Sequence, residues 1–205
     1  MAIDYSNAVD ATYANLRQYP NLHVCQADIY HLPFAPGAFR YIYSLGVLQH
    51  TPKVAQAFAA LPPLLAPGGE LVVDVYQKTL ASRFLPKRWL RPLTTRMPAN
   101  QLFSVLERSV PPLLWLSCRL RRIPKAGRLL SRLVPVANDF GELCLTKQQL
   151  REWALLDTFD WLSPAYDQSQ TPETLRKWFQ QSGLTHIMVA KIEHLVGRGV
   201  KQDKN

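Results

Sequence analysis

The chain has 205 residues, of which 47% are hydrophobic and 19% are charged. This composition excludes an intrinsically disordered protein, and the length fits one domain or one domain with a sizeable insertion. The net charge of +9 suggests an anionic partner, but its distribution along the chain is more informative than its size.

The first 76 residues alternate between predicted helices and predicted strands. A helix is predicted after Ser6 or Asn7, because Val9, Tyr13 and Leu16 recur at helical spacing. Such alternation indicates βαβ units and a parallel sheet. The predicted strands are residues 22–27, 39–45 and 70–76, and a further helix is predicted at 54–61.

Residues 77–145 break this alternation. Prolines divide the segment into predicted short helices, and residues 77–132 contain thirteen Lys and Arg residues but only one acidic residue, Glu107. That part carries a charge of +12, whereas the rest of the chain carries −3. We therefore predict a helical basic cap at residues 77–145, inserted in an α/β core of residues 1–76 and 146–205.

The C-terminal part returns to regular elements. Thr146 and Gln149 form a predicted capping box, with Leu150 and Trp153 of the helix that follows facing inward. A second helix is predicted between Thr171 and Gly183, because Pro at its first position and Gly after its end are typical helix boundaries. Strands are predicted at residues 186–190 and 195–201.

The cysteines indicate neither disulfides nor a metal site. Cys25, Cys118 and Cys144 have no paired spacing, so we predict reduced thiols. No cluster of His, Cys and Asp has the spacing of metal ligands, and no metal is expected.

The sequence shows no membrane-spanning segment and no secretory signal. The longest strongly apolar stretch, residues 109–118, is much shorter than the ~20 residues that span a bilayer. The N-terminus has neither a basic start nor a long apolar run. We therefore expect a cytoplasmic protein.

Four segments, in chain order, resemble segments of class I S-adenosylmethionine-dependent methyltransferases with a methyltransferase type 11-like domain. They lie within the first 76 residues at compatible spacing, and residues 171–189 also resemble the last helix and following strand of that family. The segments are IDYS at residues 3–6, QADIYHLPF at 26–34, FRYIYSLGVLQH at 39–50 and LLAPGGEL at 64–71.

The resemblance implies an α/β, Rossmann-like methyltransferase sheet, mostly parallel with an antiparallel last strand, and the cofactor S-adenosylmethionine. It implies that Asp4 accepts hydrogen bonds from both ribose hydroxyls, that Asp28 accepts one from the adenine amino group, and that Ile29 packs on the adenine. Asp4 and Asp28 have an alternative interpretation as turn residues after strands. The segment near the methionine part would be Ser44, Leu45 and Gly46.

The acceptor side is less defined. His50 is interpreted either as a general base or polar contact near the methyl group, or as a residue that starts a helix. Methyl transfer depends mainly on positioning, so a catalytic base is not required. His23, His186 and His194 are interpreted as structural. The substrate candidates are Gln49, Asp74, Tyr76 and Tyr166, the last in a predicted loop at residues 161–167. Asp74 and Tyr76 have an alternative interpretation as solvated strand-end residues, and Tyr166 has one as a packed aromatic residue.

The family's first strand and Gly-rich loop precede the acidic residue that ends its second strand, and that residue is here Asp4. The resemblance therefore predicts an N-terminally truncated methyltransferase without the central strand, whose neighbours would keep unpaired ladder groups. A short paralogue that rebuilds the gap, and a non-catalytic remnant, are the alternatives.

The function implied is methyl transfer from S-adenosylmethionine to a small or amphipathic acceptor. The alternative is a non-catalytic protein of the same fold that binds a partner or an anionic membrane through the basic cap. The preferred interpretation of the basic cap is a lid over the acceptor. The alternatives are a surface that contacts an anionic membrane and a solvated cationic surface. No nucleic-acid-binding module is recognisable, so nucleic acid is not expected as a partner.

Overall fold

The structure is a computed structural model that describes residues 1–79, 86–138 and 145–203. It divides into two compact units. The α/β unit comprises Met1–Lys78 and Tyr166–Asn205, and the helical unit comprises Thr79–Ala165. Cys144 and parts of the predicted cap lie outside the described residues.

A two-stranded parallel sheet begins the α/β unit. Strand β1 (Ala2–Asp4) pairs with β2 (Val24–Gln26), with Asp4 opposite Gln26. Helix α1 (Ala8–Leu16) connects them and packs against both strands. This is a small βαβ unit, as the alternation of the first residues predicts.

The second sheet has the order β3-β4-β6-β5. Strand β3 runs parallel to β4, β4 is antiparallel to β6, and β6 is antiparallel to β5. The predicted α/β sheet with an antiparallel last strand is confirmed. The strands are β3 (Phe39–Ser44), β4 (Leu65–Val75), β5 (Leu184–Lys191) and β6 (Leu195–Lys201).

The two sheets are separate hydrogen-bonded units. Within the described residues, β1 pairs only with β2 and β3 pairs only with β4. Side chains nevertheless connect them, because Ile29, Tyr30 and Leu32 pack against the core of the larger sheet and the Tyr30 hydroxyl accepts the backbone N–H of Lys53 at 2.9 Å. β1 and β3 therefore each present one edge without a strand partner.

One face of the larger sheet forms the core of the α/β unit. Leu71 and Val73 of β4 alternate inward toward helices α2 (Val54–Ala59) and α7 (Pro172–Gln181). The rings of Phe58 and Phe179 meet there at 4.9 Å between centroids. Each such side chain is fully buried and contributes about 1.5–3 kcal/mol of hydrophobic stabilisation.

Close packing of α7 on the sheet depends on glycines in β6. A Cβ at Gly197 would lie 2.6 Å from a ring carbon of Phe179 and 2.9 Å from Cδ2 of Leu175. A side chain at this position would therefore force the helix away from the strand.

The opposite face of the larger sheet carries side chains that are exposed in the part of the chain that the structure describes. Tyr41 and Tyr43 of β3 and Met188 of β5 are more than half exposed. An ion pair between Arg198 and Glu70 crosses β6 and β4 on this face, and Glu70 raises the pKa of the Arg198 guanidinium by hydrogen bonding and charge.

The helical unit contains α3 (Pro86–Thr94), α4 (Ala99–Arg121), α5 (Gly127–Ser131) and α6 (Lys147–Leu162). Its core joins α4 to α6. Four α4 residues at i, i+4 spacing, Leu102, Leu106, Val110 and Leu114, are buried with Ala154 and Leu162 of α6.

Helix α6 differs from its prediction in two ways. Its sequence position predicts a place in the α/β core, but its buried side packs against α4 in the helical unit. Trp153, expected to face inward, is half exposed, because the buried stripe follows Ala154, Thr158 and Leu162 instead. The predicted capping box of Thr146 and Gln149 is present.

None of the described helices is both long enough and apolar enough to cross a membrane.

Candidate functional site

Asp4 and Asp28 follow the carboxyl ends of neighbouring parallel strands. Asp4 is the last residue of β1, and Asp28 lies two residues beyond β2. Oδ1 of Asp4 accepts the backbone N–H and the hydroxyl of Ser6 at 2.7 and 2.8 Å. This turn holds the exposed carboxylate at the end of the strand, where ligands of open α/β sheets bind.

Asp28 is held as a carboxylate by the residues that follow it. Its Oδ1 accepts the backbone N–H of Tyr30 at 3.0 Å, and its Oδ2 lies 3.3 Å from Nδ1 of His31. The Tyr30 N–H is the main cause that lowers the pKa of Asp28. Burial opposes this effect, and His31 adds to it. The neighbouring Ile29 is partly buried against the core of the larger sheet.

The segment after β3 is tied to the end of β4. Ser44 is buried and Leu45 is exposed. Gly46 has a φ of +70°, which favours glycine, and its backbone N–H donates to Oδ1 of Asp74. The turn after β3 therefore has a fixed position relative to the carboxyl end of β4.

A cluster of polar and aromatic side chains lies at this same edge of the sheet. We call His50, Asp74, Tyr76 and His194 the histidine cluster. Nδ1 of His194 lies 3.4 Å from Oδ2 of Asp74. The ring of Tyr76 makes edge contacts with both histidines, at centroid distances of 5.6 Å to His50 and 5.1 Å to His194.

The hydrogen bonds of the two histidines define their neutral tautomers. Nδ1 of His50 lies 2.9 Å from the backbone carbonyl oxygen of Tyr166, and Nδ1 of His194 faces a carboxylate. Both oxygens are acceptors, so Nδ1 must carry the proton in each ring. Each neutral ring then has its lone pair on Nε2, the atom that can accept a proton.

Gln49 and Tyr166 lie beside the cluster. Gln49 is completely buried, and neither Oε1 nor Nε2 of its amide has a hydrogen-bond partner among the described residues. Its backbone carbonyl accepts the N–H of Gln168 at 2.9 Å. Tyr166 contacts His50 through its backbone, while its side chain remains 43% exposed.

The predicted residues thus form two groups in the α/β unit. One group is Gly46, Asp74, Tyr76, His50 and Tyr166, which are linked by contacts that run through His194, with Gln49 next to His50 in the chain. The other group, in or after the small sheet, is Asp4, Asp28 and Ile29.

The contact between His194 and Asp74 was not predicted from the sequence. His194 was interpreted as structural because no partner is near it in the sequence, yet the antiparallel pairing of Val75 with Leu195 places it beside Asp74. The contact depends on the register of β4 with β6, which residue spacing does not predict. The predicted loop at residues 161–167 is partly wrong, since α6 extends to Leu162. The described residues contain no group of three or more metal-ligating side chains.

A family described as Methyltransferase domain matches residues 1–73. This range contains β1, the turn at Asp28, β3 and most of β4. No curated protein sequence matches the chain.

Solved structures with the same fold support this match. A possible exported protein from Bordetella parapertussis has a TM-score of 0.52 at 13% identity, covering 98% of this chain and 52% of its own. An O-methyltransferase family protein from Burkholderia thailandensis has a TM-score of 0.52 at 10% identity, with 99% and 43% covered. The CurJ carbon methyltransferase has a TM-score of 0.50 at 16% identity, with 98% and 41% covered.

The chain thus spans about half the length of these structures, or less. At such identities they show the fold, whereas the family match rests on the sequence of residues 1–73. Residues 1–73 thus match a methyltransferase domain in sequence, and the chain shares its fold with the CurJ carbon methyltransferase.

Proposed function

We propose that the protein transfers a methyl group from S-adenosylmethionine to a small or amphipathic acceptor. The observation that carries this proposal is the link between Gly46 and Asp74 at the carboxyl edge of the larger sheet. It joins the turn that resembles the family's methionine-binding segment to the histidine cluster, so cofactor residues and acceptor residues would meet there.

The residues present fit the adenosine half of the cofactor. Ribose hydroxyls and the adenine amino group are hydrogen-bond donors, and the side chains at the ends of β1 and β2 are carboxylates, which only accept. Asp4 is exposed, and the lowered pKa of Asp28 keeps its carboxylate ionised at neutral pH. Asp4 would bind the ribose, Asp28 the amino group, and Ile29 would pack on the adenine.

Ser44, Leu45 and Gly46 would hold the methionine half of the cofactor. When bound, S-adenosylmethionine supplies a methyl group on a sulfonium and keeps the electron pair of the carbon–sulfur bond that breaks. The protein's contribution is to orient the acceptor in line with that bond, which is the larger part of catalysis for a reactive methyl donor.

Residues in and beside the histidine cluster would position the acceptor. The buried amide of Gln49 lacks a partner among the described residues, and an unpaired buried amide costs about 1–3 kcal/mol unless a ligand satisfies it. Tyr76 and Tyr166 offer aromatic surface, and Asp74 and His50 offer polar contacts. This mixture suits an acceptor with an apolar body and one polar group.

We further propose that a parallel strand between β1 and β3 is needed for full cofactor affinity. The support is that, among the described residues, the outer edges of β1 and β3 have no strand partner. Backbone groups at such edges gain hydrogen bonds from an added strand. The added strand would join the small sheet with Asp4 and Asp28 to the larger sheet with Gly46.

Calorimetric titration with S-adenosylmethionine tests both proposals. We expect weak binding by the 205-residue polypeptide and low-micromolar binding by a fusion that adds an N-terminal strand, a Gly-rich turn and a helix. In the fusion, Asp28→Ala should weaken binding by about 1–3 kcal/mol, whereas Asp10→Ala on the exposed side of α1 should not.

The outcomes separate the two proposals. Low-micromolar binding by the 205-residue polypeptide would refute the need for an added strand. Absence of binding by both polypeptides would refute the cofactor assignment. Equal affinity of the wild-type and Asp28→Ala fusions would remove Asp28 from the site.

A second candidate function is contact with an anionic membrane through the helical unit. Its helices expose large apolar side chains next to basic ones. Trp89 and Leu93 lie one turn apart on α3, and the guanidinium of Arg119 lies 5.2 Å from the ring centroid of Trp115 on α4. We propose that this apolar and basic surface binds anionic lipid headgroups, as interfacial helices of this composition do.

A further inference from the structure

The Asp74–His194 pair has the arrangement of an imidazole oriented by a carboxylate. Asp74 is the penultimate residue of β4, and His194 immediately precedes β6. The pairing of Val75 with Leu195 brings them together, with Nδ1 of His194 3.4 Å from Oδ2 of Asp74. The carboxylate can hold the ring in one tautomer and stabilise the charge of the protonated ring.

The contacts around His194 hold its ring while leaving it accessible. The edge contact with Tyr76 restricts the ring from one side. The side chain is nonetheless 46% exposed, so a small molecule can reach it. Since Nδ1 faces Asp74, the lone pair on Nε2 is the basic atom.

Asp74 also connects His194 to the turn after β3. One carboxylate oxygen accepts the N–H of Gly46, and the other faces His194. The residue that fixes the imidazole therefore also fixes the segment that would bind the methionine part of the cofactor. A base positioned through this carboxylate lies at the side of the sheet where the methyl group would be delivered.

We propose that His194 is the catalytic base of the proposed methyl transfer, that Asp74 is its positioning residue, and that the acceptor carries a weakly acidic hydroxyl of the phenol type. The acceptor oxygen would form its bond to the methyl carbon as the carbon–sulfur bond breaks and leaves its electron pair on sulfur, and the hydroxyl proton would pass to Nε2 of His194. The resulting imidazolium stays hydrogen-bonded to Asp74. A hydroxyl must lose its proton on methylation, which is the step that an imidazole can assist.

This inference rests on the proposed function, but its first test does not need the cofactor. Side-chain ¹⁵N NMR of the 205-residue polypeptide at neutral pH reports which nitrogen of each histidine carries the proton. We expect the Nδ1–H tautomer for His194 and the Nε2–H tautomer, which free imidazole side chains prefer in water, after Asp74→Ala. A wild-type His194 with the Nε2–H tautomer, or a tautomer unchanged by Asp74→Ala, overturns the pairing.

The second test uses phenol, 4-chlorophenol and 4-nitrophenol as acceptors, with whichever polypeptide binds S-adenosylmethionine. His194→Gln should lower kcat for phenol roughly 100-fold or more, with KM and cofactor affinity little changed. The loss should shrink as the phenol becomes more acidic, because an ionised acceptor needs no base. His186→Gln, an exposed histidine on β5, is the matched control and should retain wild-type rates.

The results distinguish this inference from the proposed function. A protein that binds S-adenosylmethionine but methylates none of the phenols, or whose His194→Gln loss is equal for all three, overturns the base assignment alone. A protein that binds no S-adenosylmethionine in either form refutes the proposed function, while the tautomer measurement still tests the Asp74–His194 pairing.

Discussion

The carboxylate of Asp74 accepts the backbone N–H of Gly46, which lies twenty-eight residues earlier in the chain. This bond connects the turn after β3 to the end of the adjacent parallel strand β4. Because Gly46 has a positive φ and its N–H has one specific acceptor, both the sequence and the conformation of this turn are constrained. The candidate site is therefore built on the sheet rather than on a flexible loop.

The glycine at position 197 should be intolerant of a side chain. Gly197→Ala places a Cβ 2.6 Å from Phe179 and 2.9 Å from Leu175, so α7 or β6 must shift. We expect a loss of about 1–3 kcal/mol in the free energy of unfolding, measured by urea denaturation. Combining it with Phe179→Leu should recover part of the loss, because the two positions are in contact.

Gly183→Asn is the matched control for that substitution. Gly183 ends α7 with a φ of +68°, and a Cβ there would meet no atom within 4 Å. Asparagine tolerates this conformation, so the change should be small. Equal destabilisation by the two substitutions would contradict the close packing of α7 on β6.

The capping box of α6 should contribute measurably to the helical unit. Thr146→Ala removes the hydroxyl that accepts the Gln149 backbone N–H and donates to Oε1 of Gln149, while the Thr146 backbone N–H keeps its bond to that oxygen. We expect a loss of about 1 kcal/mol, seen as faster amide hydrogen exchange in the first turn of α6. Gln148 is exposed and is not part of the capping box, so Gln148→Ala should leave the exchange rates of that turn unchanged. Similar rates in both variants would be inconsistent with the cap.

Asp28 should stabilise the fold in a pH-dependent way. Its pKa is lowered in the folded state, so its contribution is complete above the unfolded-state pKa and is lost as the pH falls through the folded-state pKa. The difference in free energy of unfolding between wild type and Asp28→Asn should be constant above about pH 5 and should shrink below about pH 4. Urea denaturation over this pH range measures it. A difference that grows as the pH falls would reverse the sign of the shift.

The helical unit should bind anionic vesicles in a salt-dependent way. Each basic residue near an anionic surface contributes about 1 kcal/mol, and the interaction is screened beyond about 10 Å at 0.1 M salt. We expect the 205-residue protein to sediment with vesicles that contain phosphatidylserine at low salt and to dissociate at high salt. Replacing Arg119, Arg122 and Arg128 by Glu should abolish the binding.

A control with the same change in net charge separates local from overall attraction. Arg17, Arg176 and Lys177 are exposed in the α/β unit, and their replacement by Glu removes the same charge. This variant should keep most of the vesicle binding. Binding that depends only on net charge, or that is equal for neutral and anionic vesicles, would argue against a specific surface on the helical unit.

The regular elements with clear boundary residues were predictable from the sequence. Strand β6 has its predicted bounds, and α7 begins at Pro172 after a Thr171 cap, as predicted. Strand β4 begins at Leu65 rather than at residue 70, because the segment with Gly68 and Gly69 stays within the pairing with β3 as an irregularity instead of ending the strand. The sequence therefore predicts the glycine turn but not its position within the pairing of β3 with β4.

The candidate site was only partly predictable because its contacts come from distant parts of the chain. The carboxylates at the ends of β1 and β2 are visible as acidic residues after short apolar runs. The contact of His194 with Asp74 depends on the antiparallel register of β4 and β6, and that of His50 with the Tyr166 carbonyl depends on a backbone atom. Neither has a signal in residue spacing. Assignment of α6 to a unit likewise depended on which of its faces packs against α4.

Strand β3 has an edge without a strand partner among the described residues, and the side chains of Tyr41 and Tyr43 in it are exposed. An aromatic-rich open edge is a template for pairing between molecules and hence for aggregation. The 205-residue polypeptide should therefore form β-rich oligomers in concentrated solution, and a lysine at Tyr43 should slow their growth. The yield of soluble protein and its stability in storage would then depend on the unpaired edge of β3.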